Sequence, residues 1–397
     1  MSGLRIGVVG LGARGGLARH AHRPGEGSEV TVVADPSERA AVQASDWFGE
    51  DVATVGSVDE LLAGHEVDAV MVLTPDHLHA EVALKTLGAG LATFCEKPMA
   101  ISVEDADAML ELAMEKRARL YIGHNMRHMP VVRQMKAIVD SGRIGRVRAI
   151  WCRHFVGAGG DFYFKDWHAE RAKAMSLLLQ KGAHDIDVIH WLAGGFTRRV
   201  SGIGDLAVYG DITDRRDNSD RRMGDWFDPD IWPPTAQKEL NPITDVEDIS
   251  MLQMTLDNGV LASYQQCHFT PDYWRNYTVI GDAGRIENMG DGGGDQIHIW
   301  ESRRSGPGRP DAVEVVARAD GGHGGADPSL IGEFLRFARS GGATEVSAIA
   351  AREAVATGVS GAESIRAGGM PRDVPPVPEA VREYFDAGQP AEGVEPR

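Results

Sequence analysis

A lysine that follows an apolar run is the first residue in the sequence suited to proton transfer. Lys97 lies in the segment Phe-Cys-Glu-Lys-Pro, residues 94–98, at the end of the fourth apolar run of the chain. Ligand-binding groups of open α/β sheets collect outside the carboxyl ends of strands, where partial desolvation lowers a lysine pKa and favours proton transfer. The local sequence supports a second interpretation equally well, in which Lys97 has only a structural role in a loop and forms a salt bridge with Glu96.

A histidine in a predicted helix is the second such residue. The segment Gln-Lys-Gly-Ala-His-Asp-Ile-Asp, residues 180–187, continues into apolar residues. Helical spacing places His184 and Asp187 near one face. A histidine that titrates near neutrality can accept a hydroxyl proton while hydride leaves the same carbon. His190, beside Trp191, is interpreted instead as a buried core histidine.

A glycine-rich loop follows the first predicted strand and reads Gly-Leu-Gly-Ala-Arg-Gly over residues 10–15. The first glycine permits a tight turn, the second lets the backbone approach a pyrophosphate, and the third permits close packing of a helix on the strand. The helix that follows would offer free N–H groups to phosphates. The predicted cofactor-binding residues of this loop are Gly10, Gly12, Ala13, Arg14 and Gly15, with Arg14 nearest the pyrophosphate.

An aspartate bears on the choice of cofactor. Asp35 ends the second apolar run, twenty residues after Gly15, where a carboxylate accepts hydrogen bonds from an adenosine ribose. Its charge repels a 2′-phosphate, so the sequence favours NAD over NADP. The positive charges of Arg14 and Arg39 would offset part of this repulsion of a 2′-phosphate.

The composition excludes several classes of protein. A chain of 397 residues is too long for one ordinary core and predicts two domains. The net charge of −17, with no compact block of Lys and Arg, argues against nucleic-acid binding. No apolar run approaches the ~18–20 residues of a membrane span, and the first residues lack an export-signal pattern. Cys95, Cys152 and Cys267 lack CxxC spacing, which predicts a cytoplasmic protein without disulfides or bound metal.

Short apolar runs alternate with amphipathic stretches over the first 125 residues. The predicted strands are residues 5–9, 30–34, 67–73, 91–95 and 120–123, and the predicted helices are residues 57–62, 78–87 and 103–116. Ser57 and Ser102 are placed as N-caps. This alternation predicts a doubly wound parallel sheet, a Rossmann domain.

The sequence beyond about residue 145 is richer in strands. These are predicted at residues 147–156, 199–209, 248–256, 260–269 and 276–280, with a tight hairpin at Asn258-Gly259. Helices are predicted at 176–192 and within 327–366. The fold class is therefore α/β: an N-terminal parallel sheet (residues 1–125) and a C-terminal α/β domain with an open, largely antiparallel sheet (126–370).

Two segments lie outside this pattern. Residues 210–245 are rich in Asp and Arg and predict a long excursion, either a solvated loop or a lid or subunit contact. Residues 371–397 contain six prolines and predict a loosely ordered tail.

With these motifs in order, the sequence resembles the glucose-fructose oxidoreductase/inositol dehydrogenase family, called Gfo/Idh/MocA. The shared features are the 10–15 loop, Asp35, Thr74-Pro75 with His79, Glu96-Lys97-Pro98, and the Gly182-x-His184-x-x-Asp187 helix. The resemblance covers residues 4–370. It implies hydride transfer between NAD and a sugar or inositol at a site between the domains, and dimers or tetramers formed through the C-terminal sheet.

The resemblance also implies individual roles. Lys97 would be the catalytic lysine and His184 the acid/base histidine. Thr74, Pro75 and His79 would line the cofactor groove, with Glu96 and Lys97 near the nicotinamide. Substrate-binding roles would fall to Arg127, Tyr163, Trp167, Gln180 and Asp187.

One position departs from the family pattern. Inositol dehydrogenases of the family often carry an Asp four residues before the histidine, where this chain has Gln180. A glutamine cannot orient a histidine by charge, which places inositol itself in doubt. Asp185 or Asp166 could substitute. The departure keeps a second hypothesis open, a redox-neutral NAD-dependent glycosidase or lyase on the same scaffold, and a third, a non-catalytic NAD-binding regulator.

Two further segments allow alternative interpretations. The aromatic stretch 162–168, which includes Tyr163, Lys165 and Trp167, predicts a sugar-binding wall or an aromatic hinge between domains. The glycine-rich stretch 321–327 is interpreted as a turn with Asp327 capping the next helix, because His323 and Asp327 are too few ligands for a stable metal site.

Overall fold

A computed structural model describes residues 3–303 and 308–390. In chain order its strands are β1 (Leu4–Val9), β2 (Ser28–Ala34), β3 (Ala53–Val55), β4 (Ala69–Val72), β5 (Ala92–Cys95), β6 (Leu120–Ile122), β7 (Val147–Phe155), β8 (Thr197–Asp205), β9 (Ile249–Leu256), β10 (Leu261–Cys267), β11 (Trp274–Gly281), β12 (Arg285–Met289), β13 (Gln296–Trp300), β14 (Ala312–Val315) and β15 (Arg372–Asp373). Its α-helices are α1 (Glu38–Phe48), α2 (Val58–Gly64), α3 (His79–Gly88), α4 (Val103–Lys116), α5 (Pro130–Asp140), α6 (Gly159–Tyr163), α7 (Arg171–Ala174), α8 (Leu177–Gln180), α9 (Gly182–Ala193), α10 (Gly322–Ser340), α11 (Ala348–Arg366) and α12 (Glu379–Asp386). Short 3-10 helices cover Gly15–His20, Asp76–Leu78, Asn125–His128, Trp167–Ala169, Met223–Asp225 and Pro234–Ala236.

The chain divides into two compact units. The first contains Met1–His128, Gly321–Val355 and Val377–Arg397, and the second contains Met129–Asp320 and Ala356–Pro376. The first boundary between the units, after His128, lies three residues beyond the predicted domain boundary at 125. The later boundaries differ from the prediction, because residues 321–355 and 377–390 belong to the first unit.

The first unit is built on a parallel sheet of strand order β3-β2-β1-β4-β5-β6. Strands β4 and β5 are buried along their whole length, as expected for strands covered by helices on both faces. The Ser57 and Ser102 side chains cap α2 and α4 by accepting the Glu60 and Asp105 N–H groups. The predicted Rossmann-type sheet is confirmed, and the structure adds β3 and α1, which the sequence pattern did not reveal.

Helix α10 belongs to this first unit because of its apolar face. Leu330, Ile331 and Phe334 are buried in the same cluster as Phe94 and Tyr121 of the parallel sheet. The Phe334 ring lies 5.4 Å from the Phe94 ring in an edge-on arrangement. Helical periodicity predicts that one face is buried, but not which sheet buries it, so the assignment of these residues to the C-terminal domain was wrong.

The last residues described are also ordered by the first unit. Helix α12 buries Val381 and Phe385. Gln389 uses its amide to accept from the Leu120 N–H at 2.8 Å and to donate to the Leu120 carbonyl at 2.9 Å. The prediction of a loosely ordered tail was therefore wrong for residues 377–390, whose contacts compensate the cost of ordering the chain. It was wrong also for Arg372 and Asp373, which pair with β8 in the second unit, and residues 391–397 lie outside the described part.

The second unit is built on a mixed sheet of order β14-β13-β12-β11-β7-β10-β9-β8-β15. β7 and β10 pair in parallel, and the other neighbouring strands are antiparallel. The β9–β10 hairpin turns at Gly259 with φ of +84°, as the Asn-Gly signal predicts. The predicted open, largely antiparallel sheet is confirmed. β7 pairs with strands from much later in the chain, a register that no local pattern encodes.

The predicted excursion runs between β8 and β9 and packs within the second unit. Tyr209, Leu240 and Val246 share an apolar cluster with Phe164 and Leu177. The Trp226 indole N–H donates to the Asp161 carbonyl oxygen at 2.9 Å. The excursion therefore covers the segment around residue 164 and is more than a solvated loop.

Two features of the described residues bear on membrane insertion and metal binding. None of the helices in residues 3–303 and 308–390 is both long and apolar enough to cross a membrane. Over the same ranges no group of three or more His, Cys, Asp or Glu is arranged to hold a metal ion. The side chain of His323 lies outside the described part of the chain.

Candidate active site

The glycine-rich loop has the geometry that its sequence predicts. Gly10 has φ of +88°, and a Cβ there would lie 2.9 Å from the Leu73 carbonyl oxygen, so a side chain is excluded. No described atom lies within 4 Å of a Cβ built on Gly12, which leaves open space above the loop. Gly15 begins the following 3-10 helix and packs against Leu11, 3.3 Å from its built Cβ. The loop therefore forms a shallow cradle with exposed backbone at Gly12 and Ala13.

Asp35 lies at the end of β2 beside this cradle. Its carboxylate accepts the Leu11 N–H at 2.8 Å and the Ser37 N–H at 2.9 Å. A cavity of about 270 Å³ adjoins it, and two further carboxylates, those of Glu38 and Glu60, are among its lining residues. Around Asp35 the surface is therefore acidic and suits a ribose hydroxyl better than a phosphate.

The end of β4 supplies a further polar group. Thr74 and Pro75 are half-buried, and the Thr74 hydroxyl oxygen is buried with no hydrogen-bond partner among the described residues. Buried hydroxyls normally find a partner, so a ligand bound along the ends of β1, β2 and β4 would satisfy it. Together with the Gly12 cradle and the Asp35 carboxylate, this oxygen fits a dinucleotide at this edge of the sheet.

His79 has a different environment from the one predicted. It is buried, and its ring nitrogens lie 2.7 Å from the Pro98 carbonyl oxygen and 2.9 Å from the Thr74 carbonyl oxygen. The imidazole therefore joins the loop after β4 to the loop after β5. This geometry supports a positioning role for His79 in place of direct contact with a cofactor.

Glu96 and Lys97 follow β5, at the carboxyl edge of the parallel sheet. The Glu96 carboxylate accepts the Lys97 N–H at 2.8 Å and the Arg14 Nε–H at 2.8 Å. Burial alone raises the pKa of Glu96, but the charges of Arg14 and Lys97 outweigh it and hold the pKa below its usual value. Glu96 is thus a buried anion that holds the backbone at Lys97, and Lys97 itself is half-buried.

Arg14 also has partners that the sequence did not predict. Its guanidinium lies 3.3 Å from both carboxylate oxygens of Asp327. Asp327 in turn accepts a hydrogen bond from the Asn125 amide at 2.9 Å. Helix α10 begins at Gly322, so Asp327 lies inside it and the interpretation of Asp327 as its cap was wrong.

Arg127, predicted to reach substrate, is buried in the first unit. Its guanidinium donates to the Glu345 carbonyl oxygen at 2.8 Å. An arginine that is buried and bonded to main chain has a smaller reach than an exposed one. This contact favours a structural role for Arg127 beside β6.

In the second unit, α9 carries the histidine motif. A Cβ on Gly182 would lie 2.9 Å from the Tyr264 ring, so the motif glycine lets the first turn of α9 approach β10. His184 and Asp187 are both buried on this helix. His190 contacts the Thr197 hydroxyl through Nε2 at 2.8 Å, which confirms the interpretation of His190 as a core histidine.

Asp185 faces the mixed sheet and is fully buried. It lies 3.0 Å from His154 Nδ1 and 3.0 Å from Arg275 Nε, and it accepts hydrogen bonds from the hydroxyls of Tyr264 and Tyr277. Although burial opposes its ionisation, the Arg275 charge holds the pKa of Asp185 below its ordinary value. Burial, followed by the Arg275 charge, lowers the pKa of His154 to about 3.

The two acidic substitutes considered for Gln180 are thus engaged elsewhere. Asp185 is bonded to the sheet, and Asp166 accepts the His168 N–H at 3.1 Å and lies 2.5 Å from His168 Nδ1. Gln180 itself is buried at the end of α8. Position 180 therefore has no carboxylate to orient His184. The described bonds of Asp185 and Asp166 go to other residues, so neither aspartate takes over this role.

The aromatic segment brings together a wall of rings in the second unit. Tyr163 packs edge-on against His168 at 5.4 Å and against His268 at 5.2 Å, and the Lys181 ammonium lies 5.9 Å from the Tyr163 ring. Trp167 stacks on His168 at 3.7 Å. Tyr163 and Trp167 are half-buried, so each retains some accessible surface.

Lys165 does not join this wall. It is buried, and its ammonium lies 3.0 Å from the Asp161 carboxylate, under the excursion that contributes Trp226. Residues that sequence reasoning missed are Asp327 and Lys181. Lys181 stands directly before the motif glycine, which was a usable signal, whereas no local pattern connects Asp327 with Arg14.

Comparisons with known proteins show the family of this chain. A model described as "Oxidoreductase family, NAD-binding Rossmann fold" matches residues 4–124, and a GFO/IDH/MocA C-terminal domain model matches residues 132–287. The chain belongs to the GFO/IDH/MocA family, which confirms the resemblance.

Among sequence relatives, inositol 2-dehydrogenase from Salmonella typhimurium is 30% identical over 192 residues, 48% of this chain and 54% of the relative. The 2,7-anhydro-N-acetylneuraminate hydratase from Mediterraneibacter gnavus is 30% identical over 196 residues, 49% of this chain and 50% of the relative. The chain spans about half the length of these curated relatives. A solved structure of levoglucosan dehydrogenase with NADH and levoglucosan superposes with a TM-score of 0.75 at 20% identity, covering 94% of this chain and 100% of that one, and it shares the fold.

Proposed function

We propose that this protein is an NAD-dependent dehydrogenase that interconverts a secondary alcohol and a ketone on a sugar, an inositol or a sugar derivative. The observation that carries the proposal is the placement of Lys97 after β5, at the same carboxyl edge of the parallel sheet as the Gly12 cradle and Asp35. Membership of the family and the named activities of its dehydrogenase members support the reaction class.

The proposed cofactor is NAD in preference to NADP. The carboxylate of Asp35 faces the glycine-rich loop through the Leu11 N–H, and the adjoining cavity adds Glu38 and Glu60. Three acidic residues near one pocket disfavour the two negative charges of a 2′-phosphate. The relative of known structure that was solved with NADH supports the same choice.

Lys97 and His184 are the proposed proton-handling residues. When bound, NAD would supply the hydride acceptor, and the protein's part is to place the substrate hydroxyl and take its proton. Lys97 is suited to this because its main chain is fixed by Glu96. His184 is suited to it because α9 is anchored to the sheet through the neighbouring Asp185. Tyr163, Trp167, Gln180 and Asp187 remain the proposed substrate-binding residues, with Lys181 added from its contact with Tyr163.

The test is replacement of the lysine. Lys97→Met keeps a similar length and removes the ammonium, so we expect a folded protein that binds NAD and loses nearly all turnover. Reduction of NAD is followed at 340 nm over a panel of inositols, monosaccharides and glycosides. Lys116→Met, an exposed lysine at the end of α4, is the matched control. Near-normal turnover of Lys97→Met would refute the proposed role.

A second candidate function is a redox-neutral reaction that oxidises the substrate transiently and regenerates NAD. Gln180 and the hydratase relative favour it, since neither fits a simple inositol dehydrogenase. The same panel distinguishes the two, because a dehydrogenase accumulates NADH, whereas a redox-neutral lyase, glycosidase or hydratase forms product without it.

Self-association through the mixed sheet is part of the proposal. Residues paired across neighbouring strands point to the same face of the sheet. On one face Trp151, Ile203, Met251 and Leu261 are exposed, whereas the residues beside them in sequence, Ile150, Gly202, Leu252 and Ala262, are buried on the other face. An exposed apolar sheet face is typical of a subunit interface. A dimer or tetramer would appear in light scattering of the wild type, and Trp151→Asp would shift it toward the monomer.

The three cysteines are all free, which supports the cytoplasm as the proposed location.

A further inference from the structure

A chain of charged and polar contacts runs through the first unit from α10 to the backbone at Lys97. Asn125 donates to Asp327 at 2.9 Å, Asp327 lies 3.3 Å from the two terminal nitrogens of Arg14, and Arg14 Nε donates to Glu96 at 2.8 Å. The other oxygen of the Glu96 carboxylate accepts the Lys97 N–H at 2.8 Å. These contacts connect the loops after β1, β5 and β6 with a helix whose Asp327 follows Asn125 by 202 residues and Arg14 by 313 residues.

Each end of the 96–98 segment is already held by main-chain contacts. The Glu96 N–H donates to the Val72 carbonyl oxygen at 3.0 Å, and the Pro98 carbonyl oxygen lies 2.7 Å from His79 Nδ1. Lys97 lies between these two points, and its own N–H donates to the Glu96 carboxylate. The orientation of the Glu96 carboxylate therefore contributes to holding the Lys97 backbone.

That orientation depends on where Arg14 points. About a third of the Arg14 side chain is exposed, whereas Glu96 and Asp327 are both buried. A guanidinium held by two carboxylates has one geometry that satisfies both. Without the Asp327 charge it would keep one carboxylate and could rotate toward solvent.

We propose that Asp327 is a positioning residue for Lys97, acting through Arg14 and Glu96. The inference rests on the proposed function in one respect only, namely that Lys97 is the residue whose position matters for catalysis. Asp327 touches neither the Lys97 backbone nor, in this proposal, the substrate. Its carboxylate holds Arg14, Arg14 holds the Glu96 carboxylate, and Glu96 holds the Lys97 N–H.

The direct test is hydrogen exchange of the Lys97 amide in the full chain, measured by mass spectrometry on overlapping peptides that cover residues 94–100. Asp327→Asn keeps the shape and removes the charge, and we expect the Lys97 amide to exchange about ten-fold faster, the effect of losing one ordinary hydrogen bond. Arg14→Gln removes the middle contact at a partly exposed position, so it should fold even if the buried variant does not, and it must produce the same acceleration.

The matched control is Asp107→Asn. Asp107, on α4, makes a comparable ion pair in the first unit, with Arg352 Nε at 2.7 Å, but has no contact with the Arg14 chain among its described bonds. Its replacement should leave the Lys97 amide unchanged. Unchanged exchange in Asp327→Asn and Arg14→Gln, or equal acceleration in Asp107→Asn, would overturn the proposal.

A kinetic measurement separates positioning from general stability. With an active substrate, Asp327→Asn should lower kcat about ten-fold and leave KM for that substrate within about two-fold, because the loss falls on the alignment of Lys97 and not on substrate binding. Asp327→Glu should recover part of the loss. Altered KM with unchanged kcat would contradict the role. If the wild type shows no turnover on any sugar, the proposed function fails, while the exchange experiment still decides the inference.

Discussion

Part of the acid sensitivity of the second unit should come from His268. Its ring is fully buried, and neither nitrogen has a hydrogen-bond partner among the described residues. Burial lowers the pKa of His268 well below its ordinary value of 6.5, and the nearby Lys181 charge adds to the shift. The folded protein therefore holds this imidazole neutral, whereas the unfolded chain binds a proton as the pH falls below 6.5.

The sign and size of the effect follow from this difference. Because the unfolded state binds more protons, the stability contributed by His268 falls as the pH falls. With an unfolded pKa of about 6.5, the loss is below about 0.1 kcal/mol at pH 7.5 and reaches about 1.4 kcal/mol at pH 5.5. His268→Phe keeps an aromatic ring against Tyr163 and cannot be protonated, so it should escape this loss.

The assay is urea denaturation of wild type and His268→Phe at pH 7.5, 6.5 and 5.5. Seven of the eight tryptophans, all but Trp47, lie in the second unit, so tryptophan fluorescence reports mainly on its unfolding. We expect wild type to lose about 1.4 kcal/mol more than the variant between pH 7.5 and 5.5. His268→Leu is a second variant that cannot be protonated. Any loss of packing lowers its unfolding free energy equally at each pH, so this loss cancels when the two pH values are compared. Parallel pH profiles for all three proteins would refute the argument.

Three further predictions concern the fold and the cofactor. Gly182→Ala brings a Cβ to 2.9 Å from the Tyr264 ring and should lower the free energy of unfolding by about 1–3 kcal/mol in the same assay. Asp35→Ser should raise KM for NAD and lower KM for NADP, because it removes the charge that opposes a 2′-phosphate. Gln389→Ala should cost about 1–2 kcal/mol in the unfolding of the first unit, because it leaves two main-chain groups of Leu120 unbonded.

Matched variants make these outcomes decisive. No described atom lies within 4 Å of a Cβ on Gly64, so Gly64→Ala should not destabilise the protein as Gly182→Ala does. Asp46→Ser tests whether removal of any acidic residue from this unit alters cofactor choice. Equal unfolding free energies for Gly182→Ala and wild type, or a tail whose Gln389→Ala variant unfolds like wild type, would show that these contacts do not contribute to stability.

The carboxyl-edge residues of the first unit were predictable because their chemistry is local. A Gly-x-Gly-x-x-Gly loop after a strand needs only the turn geometry at Gly10 and the open space at Gly12, and both are written in consecutive residues. Asp35 and Lys97 were located in the same way, since each lies within two residues of the end of a strand and parallel strands end at one edge. The fold class followed from the alternation of these strands with helices.

The positions that the sequence could not assign are those whose partners are distant along the chain. Asp327 had the appearance of a helix cap, and only the packing of α10 on the parallel sheet brings it to Arg14. Asp185 could have oriented a neighbouring histidine, but tertiary pairing commits it to His154 and Arg275.

The sequence by itself determined most strands and helices of the parallel sheet and which strand ends carry polar groups, because caps, turns and apolar periodicity act over a few residues. Only the tertiary structure decided which unit α10 and α12 join, which carboxylates are already paired, and which histidine is buried without a partner. Those outcomes depend on burial and charge among residues tens to hundreds of positions apart, and no local pattern encodes them.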